Sequence, residues 1–315
     1  MKIITLEQIK AALPSVDLMG EIEAGFVAYS KGKAVVPPVG ELVLTNPPGE
    51  VHIKYGYLSD DDYYVIKIAS GFYENPKLNL PSSNGLMLLF SQKTGELVAV
   101  LLDEGYLTDI RTAVAGAIAA KYLAPANVER IGIVGTGMQA KLQLEYLAPV
   151  TDCRDVLVWG RDEKKLAAYQ STMAKQGFNV TATKEAGDVL KSCNLIVTTT
   201  PAESPILNWT DDIQHGVHIT AMGSDTESKQ ELDAMLLRNA DLVVADSISQ
   251  CLERGEIHQA LKVDAIVDKD IAELGNIISG DVVGRTSDDQ VTVADLTGVA
   301  VQDIQITKAV FNAAQ

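Results

Sequence analysis

The stretch Ile131-Gly132-Ile133-Val134-Gly135-Thr136-Gly137-Met138-Gln139-Ala140 constrains this chain more than any other. A β-branched run breaks into glycines and resumes as a helical pattern through Leu142 and Tyr146, so it reads as a strand, a tight turn and a helix N-terminus. The spacing is G-x-G-x-x-A. Gly135 lets the chain turn sharply, Gly137 leaves room for a pyrophosphate to approach backbone N–H groups, and Ala140 permits close packing of helix on strand. A second strand, Val156-Leu157-Val158-Trp159, follows after one helix length. That context favours a dinucleotide-binding turn over a plain one.

Strand and helix patterns alternate from there onward, with strands at Ile131 to Val134, Val156 to Trp159, Leu195 to Thr199, His218 to Met222 and Leu242 to Ala245. Such alternation predicts a parallel, doubly wound α/β sheet, a Rossmann arrangement. The chain before it has a different character. Thr5 with Gln8 forms a capping-box pattern ahead of a short helix, and a second helix spans Asp17 to Tyr29. Between Ala34 and Val100, β-branched and aromatic runs at Val51 to Tyr57, Tyr63 to Ala69 and Leu86 to Phe90 predict a mostly antiparallel sheet. Lys93-Thr94-Gly95-Glu96 is a hairpin turn. An alanine-rich helix from Tyr106 to Leu123 then bridges two domains, and the final helix, Ile304 to Phe311, returns to the first. The expected division is a discontinuous α+β domain, residues 1–115 with 292–315, around a nucleotide domain at residues 116–291.

The 315 residues are 47% hydrophobic and 22% charged, with a net charge of −16. This balance suits two buried cores and argues against nucleic acid or an anionic membrane as partner. No apolar run reaches transmembrane length, the N-terminus lacks a signal-peptide pattern, and Cys153, Cys193 and Cys251 stand far apart, so a reducing cytoplasm is expected. His52, His215, His218 and His258 show no ligand spacing, so no metal is expected.

The second strand of the parallel sheet ends in Trp159-Gly160-Arg161-Asp162-Glu163-Lys164-Lys165. Gly160 stands near where an NAD site places a carboxylate, and Arg161 with Lys164 suits a 2′-phosphate, so NADP is preferred over NAD. The plain alternative is a solvated Arg161 beside an Asp162 helix cap. Lys67, within Val65-Ile66-Lys67-Ile68-Ala69, Lys54, Arg111 and Asp225 are the ionisable candidates for chemistry. Each has an ordinary reading too: a solvated strand face for Lys67, a surface pair with Asp109 for Arg111, and a cap for a helix containing Glu227 and Gln230 for Asp225.

These residues together resemble the ornithine cyclodeaminase and mu-crystallin family. The resemblance runs from about Val36 to Val310 and is carried by Lys67 to Pro76, Thr108 to Ala113, Gly135 to Ala140, Ala221 to Asp225 with Lys229 and Glu231, and Gly298 to Asp303. It implies a homodimer, a central Rossmann domain, and NAD(P)-linked chemistry at the carbon bearing the amino or imino group of an amino acid. Carried onto this chain, Lys67 and Arg111 hold the substrate carboxylate, with Lys67 also a catalytic candidate, and Asp225 is the acid/base. Thr112, Gly135, Gly137, Met138 and Gln139 surround the cofactor phosphates, with Thr136, Gly160, Arg161, Thr199, Met222 and Gly223 completing the cofactor site. Tyr55, Thr297 and Gly298 complete the substrate site. One departure stands out: Pro37-Pro38-Val39-Gly40-Glu41 lacks the arginine many members have there, and Lys54 offers a replacement charge. The expected activity is reduction of Δ1-pyrroline-2-carboxylate or Δ1-piperideine-2-carboxylate to L-proline or L-pipecolate. Alternatives are ornithine cyclodeamination, turnover of acyclic imino or amino acids, a part in ectoine use, or NADPH and ligand binding without catalysis.

Overall fold

The computed structural model describes residues 1–72, 74–214, 216–268 and 271–314. Two compact units divide the chain: Met1–Arg111 with Val299–Gln315, and Thr112–Gly298.

In the first unit, β1 (Lys2–Thr5) leads into α1 (Leu6–Ala12), where Thr5 and Gln8 close the expected capping box. Asp17 caps α2 (Leu18–Ser30), and the strands follow as β2 (Ala34–Val35), β3 (Gly40–Thr45), β4 (Pro48–Leu58), β5 (Tyr63–Gly71), β6 (Ser83–Ser91) and β7 (Leu97–Leu102). Among the described residues they form a seven-stranded sheet, order β1-β7-β6-β5-β4-β2, with β3 paired to β4. All neighbours are antiparallel except β1, which adds to β7 in parallel at the edge. Gly95, at φ +73°, turns the β6–β7 hairpin. The helix α3 (Tyr106–Leu123) begins in this unit, with the Asp103 carboxylate accepting the Leu107 N–H at 2.8 Å, and continues into the second.

The second unit runs β8 (Ile131–Val134), α4 (Met138–Leu147), β9 (Asp155–Trp159), α5 (Glu163–Ala174), β10 (Asn179–Thr183), α6 (Gly187–Ser192), β11 (Leu195–Thr198), β12 (Glu203–Leu207), β13 (His218–Ala221) and β14 (Gln230–Leu232). It continues with α7 (Ala234–Arg238), β15 (Leu242–Ala245), α8 (Ile248–Cys251), α9 (Gly255–Lys262), β16 (Ile271–Glu273), α10 (Leu274–Ile278) and β17 (Thr292–Asp295). Among the described residues, eight strands make an all-parallel sheet, order β10-β9-β8-β11-β13-β17-β15-β16. Successive residues feed opposite faces. Ile131, Ile133, Val156, Val158, Leu195 and Val197 join one apolar layer, and Val134, Leu157 and Ile196 join the other.

The sequence assigns residues from 292 onward to the first domain; the structure instead inserts β17 between β13 and β15, so the return to the first unit begins at Val299. The other boundary falls inside α3, after Arg111 rather than after residue 115. From Val299 the helix α11 (Ala300–Ala313) packs on α2, β4 and β5. No helix among the described residues is long and apolar enough to cross a membrane.

Candidate active site

Period-two alternation decides which face of the antiparallel sheet each side chain takes. On β4, His52 and Lys54 turn inward while Ile53, Tyr55 and Tyr57 turn outward; on β5, Val65 and Lys67 turn inward. Lys54 and Lys67 are direct cross-strand partners, 5% and 2% exposed, so the solvated-face reading of Lys67 fails. The helix α11 lies over them. Its Asp303, fully buried, stands 3.1 Å from Lys67 Nζ and 3.0 Å from Arg111 Nε. Arg111 Nη1 also donates to Gln302 Oε1 at 3.0 Å, which makes Arg111 an interior residue rather than half of a surface pair with Asp109.

Burial, and then repulsion from Arg111, lower the Lys67 ammonium to about 7; attraction to Asp303 opposes them, and Lys54 lowers it further. Burial acts to raise the Asp303 carboxyl, but Lys67, Arg111 and Lys54 outweigh it and hold it below the ordinary carboxylate range. Three buried basic groups around one carboxylate carry an excess of positive charge, which a further anion would offset. Near Val39–Glu41, where the resemblance anticipates arginine, Glu41 pairs with His52 at 3.2 Å, and Lys54 supplies positive charge two residues along β4. Tyr55 is a correction: alternation puts it, 39% exposed, on the outer face, away from Lys54 and Lys67.

In the second unit, Gly135 turns at φ +124° where a Cβ would meet Thr199 Oγ1 at 2.6 Å, and its N–H donates to Trp159 O at 3.0 Å. Gly137 heads α4 without a side-chain cap, and a Cβ there would meet nothing within 4 Å. The helix start is therefore open to an anion. A cavity of about 320 Å³ beside it is lined by Gly135, Thr136, Gly137, Gly160, Arg161, Lys165, Thr199 and Thr200, and a second of about 380 Å³ continues along Trp159, Arg161 and Thr200 to Ile206. The residues present fit a dinucleotide. Gly160 has a packing reason of its own, since a Cβ would meet Thr136 Cγ2 at 2.8 Å. Asp162 caps α5 through the Lys165 N–H, and Lys165 rather than Lys164 joins Arg161 in the cavity wall. Met138, 61% exposed, opens α4. Gln143, buried where α3 meets α4, donates to the Thr112 carbonyl at 3.1 Å and to Gln139 Oε1 at 3.5 Å, so both residues gather at the α4 start.

Asp225 follows β13 in a bent loop, not a helix, and pairs with Lys229 at 2.7 Å, its side chain 34% exposed. Gly223 is set by contact, since a Cβ would fall 2.1 Å from Thr200 O. Met222 donates its N–H to Thr198 O at 3.0 Å. Thr297 and Gly298 are held by the chain itself. The Thr297 hydroxyl donates to Asp246 and accepts from Gln250 Nε2, and the Gly298 N–H donates to Asp246 at 2.7 Å, so both brace the loop after β17 from within. His218 is a core histidine between Thr292 and Thr220, lowered to about 3 by burial. Tyr73 and His215 lie outside the described residues.

Spacing along the chain assigns no role to Asp303, Gln143, Glu231 or Glu256. For Asp303 a signal exists, a lone carboxylate in an otherwise uncharged first half of an apolar helix.

An uncharacterized cyclodeaminase of Sinorhizobium fredii is 40% identical to this chain, covering 100% of it and 96% of its own length. An alanine dehydrogenase of Archaeoglobus fulgidus is 35% identical over 98% of the chain and 94% of its own. The solved Thermococcus litoralis Δ1-pyrroline-2-carboxylate reductase, in complex with NADH and L-proline, superposes with a TM-score of 0.93 at 27% identity, covering 100% and 97%. Other relatives are Δ1-pyrroline-2-carboxylate reductases of Bacillus and an iminosuccinate reductase, and an archaeal alanine dehydrogenase is a dimer with bound NAD. All of residues 1–315 match one family, and the chain belongs to it: the ornithine cyclodeaminase/mu-crystallin family.

Proposed function

We propose that this protein is a nicotinamide-dependent oxidoreductase that reduces a small cyclic 2-imino acid, Δ1-pyrroline-2-carboxylate or its six-membered homologue, to the amino acid. The observation that carries this reading is the buried group of Lys54, Lys67 and Arg111 around Asp303, a receptor for one small carboxylate. When bound, the reduced nicotinamide supplies the hydride that the C=N carbon accepts. Arg111 and Lys54 fix the carboxylate, and Lys67 moves toward its charged form as the anion arrives. Asp225 carries the proton that the nitrogen takes up, with Lys229 holding its carboxylate in place.

Arg161 and Lys165 in the wall beside Gly160 favour NADPH over NADH, and Asp162, the carboxylate in the same wall, is engaged as a helix cap. A second copy of this chain is the partner the outer sheet face suits: Leu42, Ile53, Tyr55 and Tyr57 lie exposed there. The second reading is ornithine cyclodeamination, for which Glu41 beside His52 offers an acidic group to a distal ammonium.

Absorbance at the reduced-nicotinamide band with Δ1-pyrroline-2-carboxylate, run beside ammonia release from L-ornithine with catalytic NAD, separates the two. Cofactor oxidation without ammonia supports the reductase. Ammonia release without net cofactor consumption replaces it with the cyclodeaminase.

A further inference from the structure

The bend that carries Asp225 is gripped from behind by two carboxylates that do not reach solvent. Glu231, on β14, is 0% exposed. Its Oε1 accepts the Thr200 N–H at 2.5 Å and the Thr200 hydroxyl at 2.8 Å, while Oε2 accepts the Gly223 N–H at 2.8 Å and the Thr198 hydroxyl at 2.7 Å. Each oxygen therefore faces one backbone N–H. One belongs to the wall of the dinucleotide cavity, the other to the Asp225 bend. The two segments already touch, because Gly223 leaves no room for a Cβ against Thr200 O and Glu231 Oε2.

Glu256, near the start of α9 and 1% exposed, stands behind. It accepts the Ser224 hydroxyl, the Glu231 N–H at 2.7 Å and the Leu232 N–H at 3.0 Å, so it holds the residue before Asp225 together with the strand that carries Glu231. Arg254 Nη1 reaches the Asp225 carbonyl at 3.3 Å, and Gln259 Nε2 donates to the Glu227 carbonyl at 2.7 Å. Burying two carboxyls side by side is costly, and burial raises both to about 7, with Glu231 adding repulsion at Glu256. Their hydrogen-bond shells offset that cost only while the bend and the wall keep this arrangement.

We propose that Glu231, backed by Glu256, is a positioning residue that fixes the Asp225 bend against Thr200 in the wall of the dinucleotide cavity. The proposal rests on the reading of Asp225 as the proton carrier. Glutamine at 231 keeps the shape but turns an NH₂ group against either the Gly223 N–H or the Thr200 N–H, whichever way the amide lies. One of the two grips is lost.

The test compares full-length Asp225→Asn, Glu231→Gln and the double variant in NADPH-linked imine reduction. If Glu231 acts through Asp225, Glu231→Gln lowers kcat by on the order of 100-fold, and the double variant is no slower than Asp225→Asn alone. It also displaces the limb of the kcat–pH profile that Asp225→Asn removes. Multiplicative losses in the double variant, or wild-type kcat for Glu231→Gln, overturn the proposal and leave the Asp225 reading standing. Wild-type kcat for Asp225→Asn overturns that reading and the proposal with it. Should Glu231→Gln not fold, Ser224→Ala removes a donor to Glu256 and leaves the Glu231 shell intact. A several-fold loss of kcat with unchanged NADPH affinity by fluorescence titration then supports the proposal, and an unchanged kcat overturns it.

Discussion

Lys54 and Lys67 face each other across β4 and β5, both turned into the interior of the first unit. Like charges opposite one another destabilise a sheet, and Asp303, 3.1 Å from Lys67, offsets part of that repulsion. Lys54→Ala is expected to raise KM for the imino acid about tenfold or more while kcat changes little, because it removes a charge-assisted contact made equally in ground and transition states. Steady-state kinetics at saturating NADPH reads this out; an unchanged KM shows that Lys54 does not replace the missing arginine.

Lys67 gives two pH slopes of opposite sign. Folded, it releases its proton near 7, whereas the unfolded chain holds it to about 10.5. The unfolded state therefore binds more protons between these values, and the ligand-free protein gains stability as pH rises across that window. Carboxylate binding weakens over the lower part of the same window as the charge is lost. Urea melts and L-proline inhibition, each measured from pH 6 to 9, should show these slopes in the wild type and neither in Lys67→Met.

Asp303→Asn leaves three buried cations without their carboxylate. The expected loss is about 3–5 kcal/mol of unfolding free energy, as for other broken buried pairs. Pairing it with Lys67→Met should recover a substantial part, which denaturant titration of the single and double variants checks.

Arg161→Ala should raise KM for NADPH at least tenfold and leave KM for NADH nearly unchanged, in keeping with the loss of one charge-assisted contact to a 2′-phosphate. Equal effects on both cofactors count against NADP preference.

A charge on the outer sheet face should separate the copies. Tyr55→Glu, exposed and remote from Lys54 and Lys67 in orientation, is expected to convert a dimer to a monomer in light scattering without changing the circular dichroism of the chain.

The glycine turn, the alternation of strand and helix, the hairpin at Gly95 and the cap at Thr5 were all legible along the chain. Each depends on residues within a few positions of one another, through backbone sterics and a fixed period of side-chain direction. Lys67, Arg111 and Asp225 were nameable through the resemblance, yet spacing alone left each an ordinary alternative. What turned Lys67 and Arg111 into interior cations was α11, whose Asp303 arrives from the far end of the sequence. Alternation could say that Lys54 and Tyr55 face opposite ways, but only the packing of that helix decided which way was inward. The same holds for β17, whose four-residue run became a central strand through its neighbours β13 and β15. Local geometry is written in adjacent residues; burial, and with it the charge a side chain carries, is set by whatever distant segment comes to cover it.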